Sequence, residues 1–132
     1  MSVSSIINAL PADFGLVVAV SVGFYIQQAI LFVIPVAIQR SKTGIKPPIL
    51  YPTDSVIKEL KLTETQVTNY MCAQRVHQNN MEFLTVFFPI FLLAGLYEPR
   101  NAAIAGALVW VGRLVTGLGY LISPSMRVIG GW

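Results

Sequence analysis

Three long apolar stretches alternate with polar ones along this chain. Phe14 to Ile38 runs for 25 residues without a charge. As a helix rising 1.5 Å per residue it would reach about 37 Å, enough to cross a hydrocarbon core of about 30 Å with some tilt. Pro35 lies near its end, where a kink or a stop costs least. The only charge before the run is Asp13, and neither a basic segment nor a small-residue cleavage site accompanies it. It therefore reads as a retained transmembrane helix rather than a cleaved leader. Arg40 to Thr68 is polar and carries Gly44, Pro47, Pro48 and Pro52. It predicts a loop, with a short helical piece around Ser55 to Leu62. A second helix is expected from Thr68 or Asn69, either of which can cap it, to about Leu96. Its first turns hold Arg75, His77 and Glu82, and Phe83 to Tyr97 is then apolar apart from Thr85. Glu98-Pro99-Arg100-Asn101 predicts a short turn, so the third span, Ala102 to Ile122, should return antiparallel beside the second. That span holds one charge, Arg113, and a series of alanines and glycines suited to close helix packing. Ser123-Pro124-Ser125 should end it. The expected fold is an all-α membrane protein: one antiparallel transmembrane helix bundle with three spans (about 14–38, 69–96 and 102–122) and a short cytosolic loop after the first.

Composition supports the same reading. Charged residues make up 11% of the chain and hydrophobic ones 55%, where a soluble domain carries roughly a quarter charged. One cysteine, Cys72, excludes a disulfide framework and a cysteine-based zinc site. The net charge of +3 does not indicate a nucleic-acid partner, because the bases lie in one loop and at helix ends rather than along a stripe. They do set an orientation. The first loop holds Arg40, Lys42, Lys46, Lys58 and Lys61 and the second only Arg100, which places the first loop in the cytosol and the N-terminus outside. Three spans then bring Arg127 to the cytosolic side. Arg40, Arg75, Asn79, Glu82, Tyr120 and Arg127 would converge near that face, as a binding site requires.

Arg75, Asn79 and Glu82 stand at i, i+4 and i+7, on one face of a helix. Arg75 and Glu82 are separated by about 10 Å along the axis, so each needs a partner from elsewhere. Arg113 is a candidate partner for Glu82. Ionisable groups at such depth are expected to face the bundle interior, and they mark function by default. Plainer roles stand beside this one. Arg75 can snorkel to the headgroups. Glu82 with Arg113 can form a purely structural ion pair. Arg40 to Lys46 can serve only to orient the chain. His77 reads as a packing or hydrogen-bonding residue, since no second histidine exists. Cys72 reads as an inert apolar residue. Phe83, Phe87, Phe88 and Phe91 read as lipid-facing or packing surface.

The octapeptide Arg75-Val76-His77-Gln78-Asn79-Asn80-Met81-Glu82 resembles the Arg-x-x-x-Asn-x-x-Glu signature of the MAPEG family, the membrane-associated proteins of eicosanoid and glutathione metabolism. Tyr51-Pro52-Thr53-Asp54, Tyr97-Glu98-Pro99-Arg100, Val111-Gly112-Arg113, Gly119-Tyr120 and Pro124-Ser125-Met126-Arg127 extend the resemblance in order over nearly the whole chain. It implies a glutathione site. Arg75, Asn79 and Glu82 would hold the peptide's charged and amide groups, with Arg113 beside them. Arg40 would contact a glutathione carboxylate, Tyr120 would line the thiol end, and Arg127 would be catalytic by stabilising the thiolate. Glutathione would be the co-substrate and no metal would be involved. The second substrate would be a lipophilic electrophile or a lipid hydroperoxide arriving from the membrane lipids. The resemblance also implies a homotrimer in the endoplasmic reticulum, with a mitochondrial membrane as the alternative.

The residue chemistry agrees with such a ligand. Arginine forks bind carboxylates, a glutamate takes an ammonium, and asparagine matches peptide groups on both sides. Two departures from the family pattern stand out. Thr116 occupies the position, three after Arg113, where the family usually has tyrosine. Three spans are visible where the family has four, so the expectation is either a fragment or a bundle that has lost a helix. These departures keep open a second class of function: a non-catalytic accessory subunit of a larger membrane complex, with a mitochondrial complex among the alternatives.

Overall fold

The computed structural model describes residues 2–122 of the 132. All regular structure among them is helical. In chain order the elements are α1 (Val3–Ala9), α2 (Phe14–Ile26), a wide turn (Gln27–Leu31), α3 (Val33–Thr43), α4 (Asp54–Glu59), α5 (Glu64–Tyr97) and α6 (Pro99–Ile122). Three stretches are long and apolar enough to cross a membrane: Phe14–Thr43, Glu64–Tyr97 and Pro99–Ile122. The protein is an all-helical integral membrane bundle. Large apolar side chains such as Val86, Leu93 and Leu108 point outward and are at least 66% exposed. Facing lipid, they carry none of the penalty they would carry in water.

The elements begin and end differently from the hydrophobic pattern, for local reasons. The first span continues past Ile38 to Thr43, because Pro35 does not stop it. The Phe32 N–H bonds back to the Gln27 carbonyl, five residues earlier. This single wide turn restarts the helix at Val33, so Pro35 falls in a first turn, where a missing N–H leaves no bond unmade. Gly44, at φ 80°, closes α3 in the left-handed region that favours glycine. The second long helix starts at Glu64, ahead of Thr68. Thr63 accepts from the Gln66 N–H at 3.2 Å while Gln66 Oε1 accepts from the Thr63 N–H at 2.8 Å. Two orphan donors are thereby satisfied at once. Thr63→Ala should remove about 1 kcal/mol, seen as a lower melting temperature in detergent and faster amide exchange confined to the first turn of α5. The second turn is tighter than four residues: Glu98 alone separates α5 from α6, with Pro99 at the first helical position. The short helix α1 has no counterpart in the pattern. Its cap is Ser2, which accepts from the Ser5 N–H.

Contacts between the long helices fix their directions. Phe91 meets Gly106, and Val76 meets Gly117, so α5 and α6 run antiparallel. Val17 meets Gly95, which sets α2 antiparallel to α5, while Phe32 against Gly117 makes the first span parallel to α6. The core divides into two clusters. One, near the α5–α6 turn, centres on Val17, Phe91, Ala102 and Ala103; the other, toward the opposite end, holds Phe32, Cys72, Val76 and Tyr120. The phenylalanines of α5 form a ladder at helical spacing, Phe83 on Phe87 and Phe87 on Phe91 at 5.2 Å, with Phe24 of α2 set against Phe87 at 5.0 Å. They are packing surface.

Candidate functional site

Between the two clusters lies a layer of polar side chains contributed by all three spans. Arg113 of α6 donates from Nε to Asn80 Oδ1 at 3.1 Å and from Nη2 to Asn79 Oδ1 at 2.9 Å. Its guanidinium also lies 4.3 Å from the centre of the Phe83 ring, a cation–π contact that strengthens away from water. Asn80 donates onward to Gln28 Oε1 at 2.7 Å, and Gln28 Nε2 donates to the His77 carbonyl at 3.2 Å. Gln27 donates to the Trp110 carbonyl at 2.9 Å, and the Trp110 indole returns a bond to the Gly23 carbonyl at 2.8 Å. This layer ties α2, α5 and α6 at one level. The wide turn makes it possible, because it rotates consecutive glutamines to different neighbours: Gln27 toward α6 and Gln28 toward α5.

Arg75, Asn79 and Glu82 do share a face of α5, but it is not the inner one. Arg75 and Glu82 are exposed and Asn79 is half-buried. The inner stripe runs through Ala73, Val76, Asn80, Leu84 and Phe91. That stripe takes the contacts with α2 and α6, which turns Arg75 and Glu82 outward. The expected inward orientation of these charges is thus corrected, and so is the expected pairing of Glu82 with Arg113. The acceptors placed at the arginine's fork are the amides of Asn79 and Asn80. Asn79 bridges the two settings, with its oxygen on the inner Arg113 and its backbone on the outer stripe.

The remaining candidates lie toward the end where α5 begins and α6 ends. Arg40, from the last turn of α3, donates to the Ile49 carbonyl at 2.9 Å and the Ile45 carbonyl at 3.4 Å, and sits over the Tyr70 ring at 5.6 Å from its centre. Tyr70 in turn donates to the Leu50 carbonyl at 2.7 Å, and Tyr51 to Gln78 Oε1. These bonds strap the loop after α3 across the bundle end. Arg40 therefore holds the loop, whatever else it contacts. Tyr120 is buried beside Phe32, Cys72 and Val76. Arg127 lies outside the described residues. Among the described residues no group of three His, Cys, Asp or Glu side chains could hold a metal.

Four residues of the polar layer, Gln27, Gln28, Asn80 and Trp110, stand out only in three dimensions. A sequence signal existed for two of them. Consecutive glutamines inside a 25-residue uncharged run are polar groups at a depth where each must find a partner. Gln27 Oε1 and Gln74 Oε1 are buried and find no hydrogen-bond partner among the described residues.

The family model described as "MAPEG family" matches residues 17–132, taking in all three spans. An uncharacterized protein of the cyanobacterium Synechocystis sp., sll1147, is 29% identical over 102 residues, covering 76% of this chain. The chain spans 64% of that relative's length, less than two thirds of it. No solved structure matches the chain.

Proposed function

Because the chain belongs to the MAPEG family, we propose that it is a membrane-embedded glutathione S-transferase or glutathione peroxidase, most similar in kind to microsomal glutathione S-transferase 3, whose His-Gln-Asn run it resembles at His77 to Asn79. One observation carries this reading: Arg75, Asn79 and Glu82 form an outward stripe on α5, and Arg113 grips Asn79 from behind. An open row with a cation, an amide and a carboxylate in that order suits a zwitterionic peptide, and the clamp holds its middle member in place. In this proposal Arg75 binds a glutathione carboxylate, Glu82 its ammonium, and Asn79 a peptide group. Tyr120 lines the thiol end, Arg113 orients Asn79, and Arg40, which holds the loop after α3, contacts the other glutathione carboxylate. Arg127 is the catalytic residue. A thiol with an ordinary pKa near 8.5 is mostly protonated at neutral pH, and an adjacent guanidinium favours the thiolate. The thiolate then attacks a lipophilic electrophile and displaces its leaving group. With a hydroperoxide, two glutathiones give a disulfide, an alcohol and water. A homotrimer, as the family resemblance implies, would set the outward stripe against a second copy and enclose the peptide. The compartment proposed is the endoplasmic reticulum, with a mitochondrial membrane as the alternative.

A second reading, an accessory subunit without catalysis, is favoured by Thr116. Its hydroxyl folds back on its own helix, donating to the Gly112 carbonyl at 2.9 Å, so it does not replace the phenol usual at that position.

Calorimetry with glutathione on the intact protein in detergent separates the two. The enzyme reading expects micromolar to millimolar binding, weakened about 10-fold or more by Glu82→Gln through loss of a charged hydrogen bond. Arg127→Ala should keep binding but slow conjugation about 10- to 100-fold at neutral pH, the effect of one to two pKa units on the thiol. Absence of glutathione binding would leave the accessory reading.

A further inference from the structure

At the opposite end of the bundle from the candidate site, α2 and α6 pack closely through Val20 and Gly106, and a furrow runs along the outside of that seam. A cavity of about 380 Å³ opens along it, lined by Leu16, Ala19, Arg100 and Ala103 among others. A second, of about 220 Å³, continues from it past Gly23 to Trp110. Val20 and Ala107 line both, so the two form one groove. Its walls are short because the sequence places alanine or glycine where larger side chains would meet. Its floor near Trp110 is sealed by the indole bond to the Gly23 carbonyl. From Arg100 to Trp110 the groove follows α6 for about 15 Å, half the thickness of a hydrocarbon core of about 30 Å. That is the depth of one leaflet. A groove open to the bilayer at this depth is bathed in acyl chains.

The mouth of the groove is polar. Arg100, exposed in the first turn of α6, is the one charged residue lining it among the described residues. The positive end of the α6 dipole adds to its field. Two acids stand at the same end: Asp13, just before α2, and Glu98, the residue before α6, whose carboxylate accepts from Asn101 at 3.5 Å. A cation and two carboxylates gathered at one end of the bundle suit a headgroup with a phosphate and an ammonium better than a purely anionic one.

We propose that this groove binds a single zwitterionic phospholipid from the leaflet at that end, with its phosphate on Arg100, its ammonium toward Asp13 and Glu98, and one acyl chain lying along Val20 and Ala107 to Trp110. The lipid is a structural ligand, and its site is separate from the glutathione face.

The test uses the full chain in nanodiscs of equal parts phosphatidylethanolamine and phosphatidylglycerol, released into mild detergent and weighed by native mass spectrometry. One phosphatidylethanolamine should remain per chain, enriched over phosphatidylglycerol. Arg100→Gln should lower the retained lipid about 10-fold, the effect of one charge-assisted hydrogen bond. Ala107→Phe should abolish retention by filling the groove, with circular dichroism confirming the helices. Arg100 is exposed, so its variant should fold whatever Ala107→Phe does. Equal retention by wild type and Arg100→Gln, or preference for phosphatidylglycerol, would overturn the assignment. So would Ile104→Cys crosslinking readily to a second chain while no lipid is retained, since another copy would then occupy the groove.

Discussion

Adding one methyl group at Gly106 is expected to weaken the folded bundle by about 1–3 kcal/mol, whereas the same change at Gly112, later in the same helix, should leave it unchanged or stabilise it by up to about 1 kcal/mol. A Cβ built on Gly106 would stand 2.6 Å from Phe91 Cε2 and 2.9 Å from Val20 Cγ1. Neither neighbour can retreat easily. Phe91 is 4% exposed and stacked on Phe87, and Val20 is β-branched, with few χ1 choices. A Cβ on Gly112 would meet nothing within 4 Å. The two substitutions share chemistry and helix, so intrinsic propensity cancels in the comparison and only the packing remains. Gly106→Val should exceed Gly106→Ala, since each extra carbon needs further displacement. Unfolding of both alanine variants in mixed detergent, followed by circular dichroism, measures the difference. Equal midpoints would mean that α2, α5 and α6 do not meet at Gly106 as closely as described. Gly117 extends the argument, with a Cβ 2.8 Å from Phe32 Cζ.

These close approaches explain why the bundle was legible in the sequence and its inner geometry was not. Membrane thickness and the absence of charges determine that a span exists, so Phe14–Thr43, Glu64–Tyr97 and Pro99–Ile122 each contain an expected span. Hydrophobicity carries no information about which side of such a helix faces its neighbours, because lipid and core are equally apolar. Arg75, Asn79 and Glu82 could be assigned a common face from spacing, but not an inward one. That choice is made by Gly106, Gly117 and the phenylalanine ladder, which let α6 approach the opposite stripe. Element ends had readable signals in part. The Thr63–Gln66 capping pair follows a recognisable pattern, while the wide turn at Gln27–Leu31 that spares the helix from Pro35 has no local signature. The proposed site divides likewise. Its residue types were legible from spacing and resemblance, but the grip of Arg113 on Asn79 and Asn80 depends on tertiary contact.

Replacing Arg113 with methionine should produce two large effects of opposite sign, because the arginine acts at two stages. A charged residue deep in a span opposes insertion by about 2.5–3.5 kcal/mol. That cost arises when α6 enters the bilayer, before the helices associate. Arg113→Met should therefore make insertion of the α6 segment more favourable by about that amount, read from the fraction of glycosylation-tagged segments that span microsomal membranes. Once α6 is inserted, the arginine helps association. It donates to Asn80 and Asn79 and lies over Phe83. Methionine fills a similar volume but supplies no donors, so both amide oxygens lose this partner. Hydrogen bonds between membrane helices average only about 0.6 kcal/mol each, and a desolvated cation–π contact adds up to about 2 kcal/mol. The assembled bundle should thus be weaker by about 1–3 kcal/mol in detergent unfolding. Arg113→Lys distinguishes charge from geometry. It keeps the insertion penalty but cannot fork between two asparagines, so it should lose stability without gaining insertion. If Arg113→Met made the bundle firmer as well as easier to insert, the polar layer would be a burden on assembly, and its bonds to Asn79 and Asn80 would have no structural role. If it weakens assembly as expected, the layer couples the position of Asn79 on the outward stripe to the packing of α6, and disturbances at one should be felt at the other.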